Sequence, residues 1–336
     1  MNKLTIKMLA KELQLSVSTV SKAIRDSHEI SAETKLRVNA LVQKLNYVPN
    51  PFASSLRGRN SKTIGVVLPE VVDSFFALAI NGIESVAQEK GYHVLIYLTH
   101  ENFDKEKMIL KDFEGGRVDG VLMSVSRETT ETSHIESLMA KGVPLVFFDR
   151  VPDSIEATKI ITNDYESAYN ATTHLVKKGC KQILFLSFSN ILAISARRLQ
   201  GYTDALLKHG LKAAATNILR LENDIKKDYQ QLRQKLKRPA RPDGIISSVG
   251  KMVIPIYQVC EELHLKIPTD IQVISFCNLD TASFLNPSLT TVEQPAFEIG
   301  KTAATILMKA LGRKKMELQK EDLVIASDLV LRNSTK

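Results

Sequence analysis

The stretch Ser16-Val17-Ser18-Thr19-Val20-Ser21-Lys22-Ala23-Ile24-Arg25 decides how the beginning of this chain is read. Ser16 supplies a side-chain oxygen for the free N–H groups of a first turn, so a helix starts there. Val20, Ala23 and Ile24 give that helix a short apolar face. Its other positions are small hydroxyls plus Lys22 and Arg25, groups that donate to phosphates and base edges. Upstream, Thr5 is placed to cap a first helix whose apolar residues Ile6, Leu9, Ala10 and Leu13 fall at i, i+3, i+4 and i+7. Gln14-Leu15 turns the chain between the two. Periodicity alone fits an ordinary αα-hairpin as well as a helix-turn-helix whose second helix lies in the major groove of DNA. The rest of the chain separates these readings.

Charge is the first discriminator. Residues 1–62 hold eleven Lys and Arg against four acids, a net +7 out of +8 for all 336 residues. A small basic helical module on a neutral body is the electrostatic footprint of a nucleic-acid binder. At 44% hydrophobic residues the chain has the composition of a globular protein, and its length calls for two or three domains. No apolar run approaches the ~18 residues of a membrane span. Lys3, Lys7, Lys11 and Glu12 interrupt what would be the core of a secretory signal. Cys180, Cys260 and Cys277 are odd in number and far apart, which fits neither a disulfide framework nor a CxxC metal site. A cytoplasmic protein is expected, with no membrane partner, no metal and no cofactor.

After Arg25, Ser31 caps a third helix with Glu33 in its first turn and Val38, Leu41, Val42 and Leu45 as its buried stripe. The helix ends near Asn46-Tyr47, ahead of Pro49. Asn50, Pro51 and Gly58 then suit the cap, the first position and the terminator of a further helix, Phe52–Arg57. That helix is well below the ~12–15 residues an isolated one needs. It is expected to form only when a partner packs on it.

From Thr63 the pattern changes. Apolar strands at Thr63–Leu68, Tyr92–Leu98, Val118–Val125, Pro144–Phe148, Gln182–Phe188, Asp243–Ser248 and Ile271–Phe276 alternate with helical stretches. Near-continuous apolar strands between helices imply parallel sheets covered on both faces, here two doubly wound sheets in two lobes. Ligands in such folds bind at the carboxyl ends of the strands. There is no GxGxxG, P-loop, GxSxG or HExxH, so an α/β enzyme is not the expected reading. His174, on an apolar helix, is expected to be packed rather than catalytic.

Over essentially its whole length the chain resembles LacI/GalR-family transcriptional regulators. The resemblance rests on Thr5-Ile6-Lys7-Met8-Leu9-Ala10, Ser16-Val17-Ser18-Thr19-Val20-Ser21-Lys22, Ile30-Ser31-Ala32-Glu33-Thr34, Leu45-Asn46-Tyr47-Val48-Pro49-Asn50 and Ala53-Ser54-Ser55-Leu56-Arg57. Weaker matches follow in the same order: Thr63-Ile64-Gly65-Val66, Val146-Phe147-Phe148-Asp149-Arg150, Arg198-Leu199-Gln200-Gly201-Tyr202 and Pro287-Ser288-Leu289-Thr290-Thr291-Val292. It implies an all-α helix-turn-helix headpiece (1–48), a hinge helix or linker (49–60) and a two-lobed, periplasmic-binding-protein-like α/β regulatory domain (61–336). Lobe 1 would span about 61–161 and 293–322, lobe 2 about 162–292 and 323–336.

The resemblance also implies roles. A homodimer would set two headpieces in successive major grooves of a double-stranded, pseudo-palindromic operator, ~34–36 Å apart. Val17, Ser18 and Lys22 would face the bases, although periodicity equally allows Val17 in the core. Ser16, Thr19, Ser21, Arg25, Ser31, Thr34, Tyr47 and Asn50 would meet phosphates. Ala53 and Leu56 would enter the minor groove, Leu56 as an apolar wedge. A small-molecule effector, a sugar, phosphosugar or nucleobase, would sit between the lobes against Phe75, Phe76, Ser124, Ser126, Asp149, Asp164, Arg197, Arg198 and Cys277. Two departures bear on its nature. The family's Asn-Asp after the Ile245-Ile246 strand is Val249-Gly250 here, and a characteristic carboxylate is replaced by Cys277. Fewer buried acceptors disfavour recognition of hydroxyls alone. A two-lobed transport receptor would need an export signal and no headpiece, the opposite of what is read here.

Overall fold

The computed structural model describes residues 5–24, 26–47, 61–72, 74–312 and 318–335. The chain divides into two compact units, Met1–Ser61 and Lys62–Lys336. Arg25, Asn50, Ala53 and Leu56 lie outside the described residues.

In the first unit the helices are α1 (Ile6–Leu13), α2 (Val17–Ile24) and α3 (Ala32–Lys44). Gln14 takes a left-handed conformation (φ 54°) that ends α1 and turns the chain into α2. Ser16 Oγ accepts from the Thr19 N–H at 3.0 Å, and Ser31 Oγ from the Thr34 N–H at 3.3 Å. Thr5 differs from expectation: it occupies the cap position of α1, but its side chain makes no capping bond, and its carbonyl accepts from Met8 and Leu9 instead. Leu9, Ala10, Val20, Ala23, Val38 and Leu41 form the core, two from the apolar face of each helix.

The second unit alternates strand and helix. Its first part runs β1 (Thr63–Leu68), α4 (Ser74–Glu89), β2 (His93–Leu98), α5 (Phe103–Phe113), β3 (Gly120–Met123), α6 (Ser133–Ala140), β4 (Leu145–Phe148) and β5 (Thr158–Thr162). Next come α7 (Asp164–Lys177), β6 (Ile183–Ser187), α8 (Ala193–Lys208), β7 (Ile218–Arg220), α9 (Ile225–Leu236), β8 (Gly244–Ser247), α10 (Val253–Glu262), β9 (Gln272–Phe276) and β10 (Thr290–Glu293). The chain finishes with α11 (Ala296–Leu311), β11 (Asp322–Ile325) and β12 (Asp328–Val330).

The strands form two six-stranded sheets, ordered β11-β5-β4-β3-β1-β2 and β12-β10-β9-β8-β6-β7. Pairing is parallel throughout except between β10 and β12. The fully buried β3, β4, β6, β8 and β9, and β1 from Ile64 onward, explain the continuous apolar runs in the sequence: helices cover both faces. One boundary needs correcting. β11 pairs with β5 in the first sheet, so the last passage between lobes falls at 326–327 and not after 322. Asp322–Ile325 is a half-exposed edge strand, too weakly apolar to announce its sheet.

In the first lobe α4 and α11 lie nearly backbone to backbone. A Cβ on Gly82 would fall 2.1 Å from the Phe297 carbonyl, and one on Gly300 2.0 Å from that of Ala79. His174 is packed: its Nε2 lies 3.1 Å from Thr335 Oγ1, and burial lowers its pKa. All three cysteines are buried, and burial pushes the Cys260 thiol up to about 12. Because thiolate is the reactive form, native Cys260 is expected to resist Ellman's reagent at pH 8 and to react once guanidinium unfolds the chain. Prompt labelling of native Cys260, located by peptide mapping, would show an opening the fold does not provide.

Candidate DNA-reading surface and inter-lobe cleft

Within the headpiece, hydroxyls gather at two helix N-termini. Ser16 Oγ lies 2.7 Å from Ser18 Oγ and 2.8 Å from Thr19 Oγ1, and Ser31 Oγ donates to Thr34 Oγ1 at 2.9 Å. Free N–H groups, the helix dipole and hydroxyls make each terminus receptive to an anion such as a backbone phosphate. Lys22 is exposed on α2 and forms an ion pair with Glu29. The bond from Lys22 and its charge hold the Glu29 carboxyl below the usual carboxylate range. That pairing persists above the ordinary glutamate pKa and fails as pH drops through the lowered one. Ser18 is also exposed. Val17 is half-buried and packs against the core cluster, as periodicity allowed. Ser21 and Tyr47 are half-buried, Tyr47 against the same cluster.

In the regulatory unit, the carboxyl ends of strands from both sheets converge on one cleft. Phe75 and Phe76 come from the start of α4, Asp149 and Arg150 follow β4, and Phe188 follows β6. Ser195 and Arg198 project from the first turns of α8; Ser248, Val249 and Gly250 follow β8; Cys277 and Gln294 follow β9 and β10. Asp149 holds a left-handed backbone (φ 61°), an uncommon conformation for a residue with a side chain. Gln294 Nε2 lies 3.5 Å from both Asp149 Oδ1 and Thr162 Oγ1.

Two arginines dominate the interior. Arg150 donates from Nη1 to Glu101 Oε1 at 2.7 Å, and its guanidinium lies 5.5 and 4.8 Å from the ring centroids of Phe76 and Phe188. Arg198 donates from Nε to Asp164 Oδ1 at 2.7 Å and from Nη1 to the Ser248 carbonyl at 2.7 Å, over the Phe276 ring at 4.2 Å. The Arg198 Nη2 is buried with no hydrogen-bond partner. The cavity itself holds only ≈ 40 Å³, against ~300–1,000 Å³ for small-molecule sites. A sugar-sized ligand enters only if the lobes part.

The structure thus gathers Phe75, Phe76, Asp149, Arg198 and Cys277 at the cleft and sets four other candidates elsewhere. Asp164 sits behind Arg198 and serves it as a counter-ion. Ser124 Oγ, fully buried, accepts from the Arg150 N–H at 3.4 Å. The Ser126 N–H donates to the buried Glu106 carboxylate at 2.8 Å. Arg197 turns outward to Asp153, 3.2 Å away. Residue type alone did not distinguish Arg197 from Arg198; helix phase relative to the core did. Phe188 and Gln294 were missed. Phe188 ends a strand that the pattern marked, so the carboxyl-end rule reaches it, whereas β10 gave no clear strand signal. The two departures from the family pattern meet in space, since a Cβ on Gly250 would fall 2.9 Å from that of Cys277.

A helix-turn-helix unit followed by a two-lobed domain with a cleft at its strand ends defines a ligand-responsive DNA-binding protein by its architecture. Residues 5–50 match "Bacterial regulatory proteins, lacI family", and residues 172–335 match the periplasmic binding protein-like domain. The chain is 30% identical over 334 residues to the HTH-type transcriptional repressor PurR of Vibrio atlanticus, covering 99% of this chain and 98% of the relative. It is 29% identical over 318 residues to catabolite control protein A of Priestia megaterium, covering 93% and 94%. The fold superimposes on the lac repressor dimer bound to operator and the anti-inducer ONPF with a TM-score of 0.84, at 23% identity over 99% of both chains. The chain belongs to the lacI family of bacterial regulatory proteins and is a DNA-binding transcriptional regulator.

Proposed function

We propose that this regulator is a cytoplasmic repressor that binds a pseudo-palindromic operator as a homodimer and is gated by a small molecule in the inter-lobe cleft. The observation that carries the DNA reading is the α2 surface: Ser18 and Lys22 exposed, the hydroxyls of Ser16 and Thr19 beside them, and Val17 turned toward the core. Ser18 and Lys22 read base edges, with Val17 within reach of a thymine methyl at most. Lys22 exchanges Glu29 for guanine O6/N7 on binding. Ser16, Thr19, Ser21, Arg25, Ser31, Thr34, Tyr47 and Asn50 set register at the phosphates. Ala53 and Leu56 are assigned to the minor groove from the sequence alone.

The cleft supports the gating half of the reading. Its lining comes from both lobes, and its present volume requires a motion between them for entry, so ligand and lobe arrangement are linked. Lys22→Ala is expected to weaken operator binding by about 1–3 kcal/mol and to relax preference at one base pair of each half-site. Selection from a random duplex pool, run for both proteins, checks this. An unchanged consensus would remove Lys22 from the reading set, and the absence of any symmetric site for the native protein would sink the operator reading altogether.

A further inference from the structure

In the wall of the cleft, Phe188 carries three cations against one ring: Arg150 at 4.8 Å, Arg127 at 5.0 Å and Lys251 at 4.5 Å from its centroid. A ring has two faces, so at least two of these cations share one. Arg150 is neutralised by Glu101, with Asp149 at 3.8 Å. The Arg127 and Lys251 side chains have no such partner: among the described residues neither side-chain cation has a carboxylate oxygen within 4 Å, although the Arg127 backbone N–H donates to Glu101 Oε2 at 2.8 Å. The Arg127 Nη2 reaches the Leu221 carbonyl at 3.2 Å, but its Nη1 is buried with no hydrogen-bond partner. Lys251 Nζ donates to the neutral Asn223 side chain. Burial holds the Lys251 ammonium below its ordinary pKa; Glu70, Asp228 and Glu101 oppose that shift and Arg127 adds to it.

Two half-buried cations, side by side and with no carboxylate in direct contact with either charged group, are completed best by an anion that touches both. A buried guanidinium N–H with no acceptor marks where that anion's oxygen belongs. Arg127 follows β3 in the first lobe and Lys251 follows β8 in the second, so whatever they hold spans the lobes. We propose that an oxyanion, a phosphate or carboxylate, binds between Arg127 and Lys251 beside Phe188 and ties the two lobes together. This deepens the effector reading and rests on it only for the role in gating; the anion site stands on its own geometry. The effector is then an organic phosphate or carboxylate rather than a neutral sugar, in keeping with the carboxylates lost at Gly250 and Cys277.

The test uses the full-length protein and thermal unfolding at constant ionic strength in chloride. Inorganic phosphate, glucose 6-phosphate and gluconate are the probes at 0 to about 50 mM, with glucose as the neutral reference. At least one anion is expected to raise Tm by about 2–5 °C and glucose to leave it unchanged. Each variant is compared with its own ligand-free Tm: Arg127→Gln and Lys251→Gln are expected to abolish the rise, and Lys251→Arg to keep most of it. A larger response to glucose 6-phosphate or gluconate than to inorganic phosphate assigns the anion to an organic ligand; equal responses assign it to the free ion. No response of the native protein to any anion, or an undiminished response in both Gln variants, overturns the site. Operator binding is read in parallel. Anion stabilisation without any change in operator affinity keeps the site and removes the gating role. Release of operator by a neutral compound, with no anion response, does the reverse.

Discussion

Asp164→Ala is expected to destabilise the regulatory domain by about 3–5 kcal/mol, because it strands a buried guanidinium. Asp164 and Arg198 are 3% and 6% exposed, and the carboxylate receives Arg198 Nε at 2.7 Å and Thr162 Oγ1 at 3.0 Å. Arg198 keeps its bond to the Ser248 carbonyl and its place over Phe276, but neither neutralises its charge, and its Nη2 is already without a partner. For a domain of this size the loss corresponds to about 10 °C in Tm. Urea unfolding should show the midpoint falling with an unchanged slope. Asp164→Asn keeps an acceptor for Nε and is expected to cost less. Adding Arg198→Met to Asp164→Ala should recover part of the loss, since the uncompensated charge goes with it. A single-variant cost under about 1 kcal/mol would mean that water reaches the pair.

Leu9→Ala is expected to abolish operator binding while leaving ligand binding by the regulatory domain intact. Leu9 is completely buried at the meeting point of α1, α2 and α3, in a core with only five other buried apolar residues among those described. Large-to-alanine changes at such sites cost about 2–5 kcal/mol. A single core this small rarely supplies more than about 3–5 kcal/mol in total. The headpiece is therefore left largely unfolded and presents no ordered α2. Fluorescence anisotropy on labelled operator measures the loss, and hydrogen exchange over residues 5–47 locates it. Leu36→Ala is the matched control: Leu36 is 72% exposed on α3, and its removal should change headpiece stability by no more than about 0.5 kcal/mol. Operator binding by Leu9→Ala at native affinity would mean that the three-helix core does not hold the reading surface.

Both predictions use residues whose importance was legible to different degrees. Leu9 announces itself by spacing, because a three-helix unit has one apolar stripe per helix and the stripes must meet. Asp164, by contrast, looks in the sequence like a ligand contact. Its residue type and its place after a strand fit that role, but its partner stands 34 positions away, and only the packing of α8 on α7 shows the carboxylate facing inward. Arg127 and Lys251 carry no signal in the sequence, being ordinary basic residues, one in a turn and one in a single 3-10 turn. Their meaning lies in sharing Phe188 across two lobes.

The sequence by itself determined the three-helix headpiece, the switch to alternating apolar strands and helices at Thr63, and the placing of ligand chemistry at strand ends. Those features are local: they follow from spacing, capping and the alternation of buried faces, each visible within some ten residues. Tertiary structure alone decided which charges are paired and which are not. Arg197 and Arg198 are neighbours, yet one meets Asp153 near the surface and the other Asp164 in the interior. It also decided that β11 belongs to the first sheet and β12 to the second. Pair formation and sheet membership depend on contacts between residues far apart in the chain, and no local pattern encodes the distance between them.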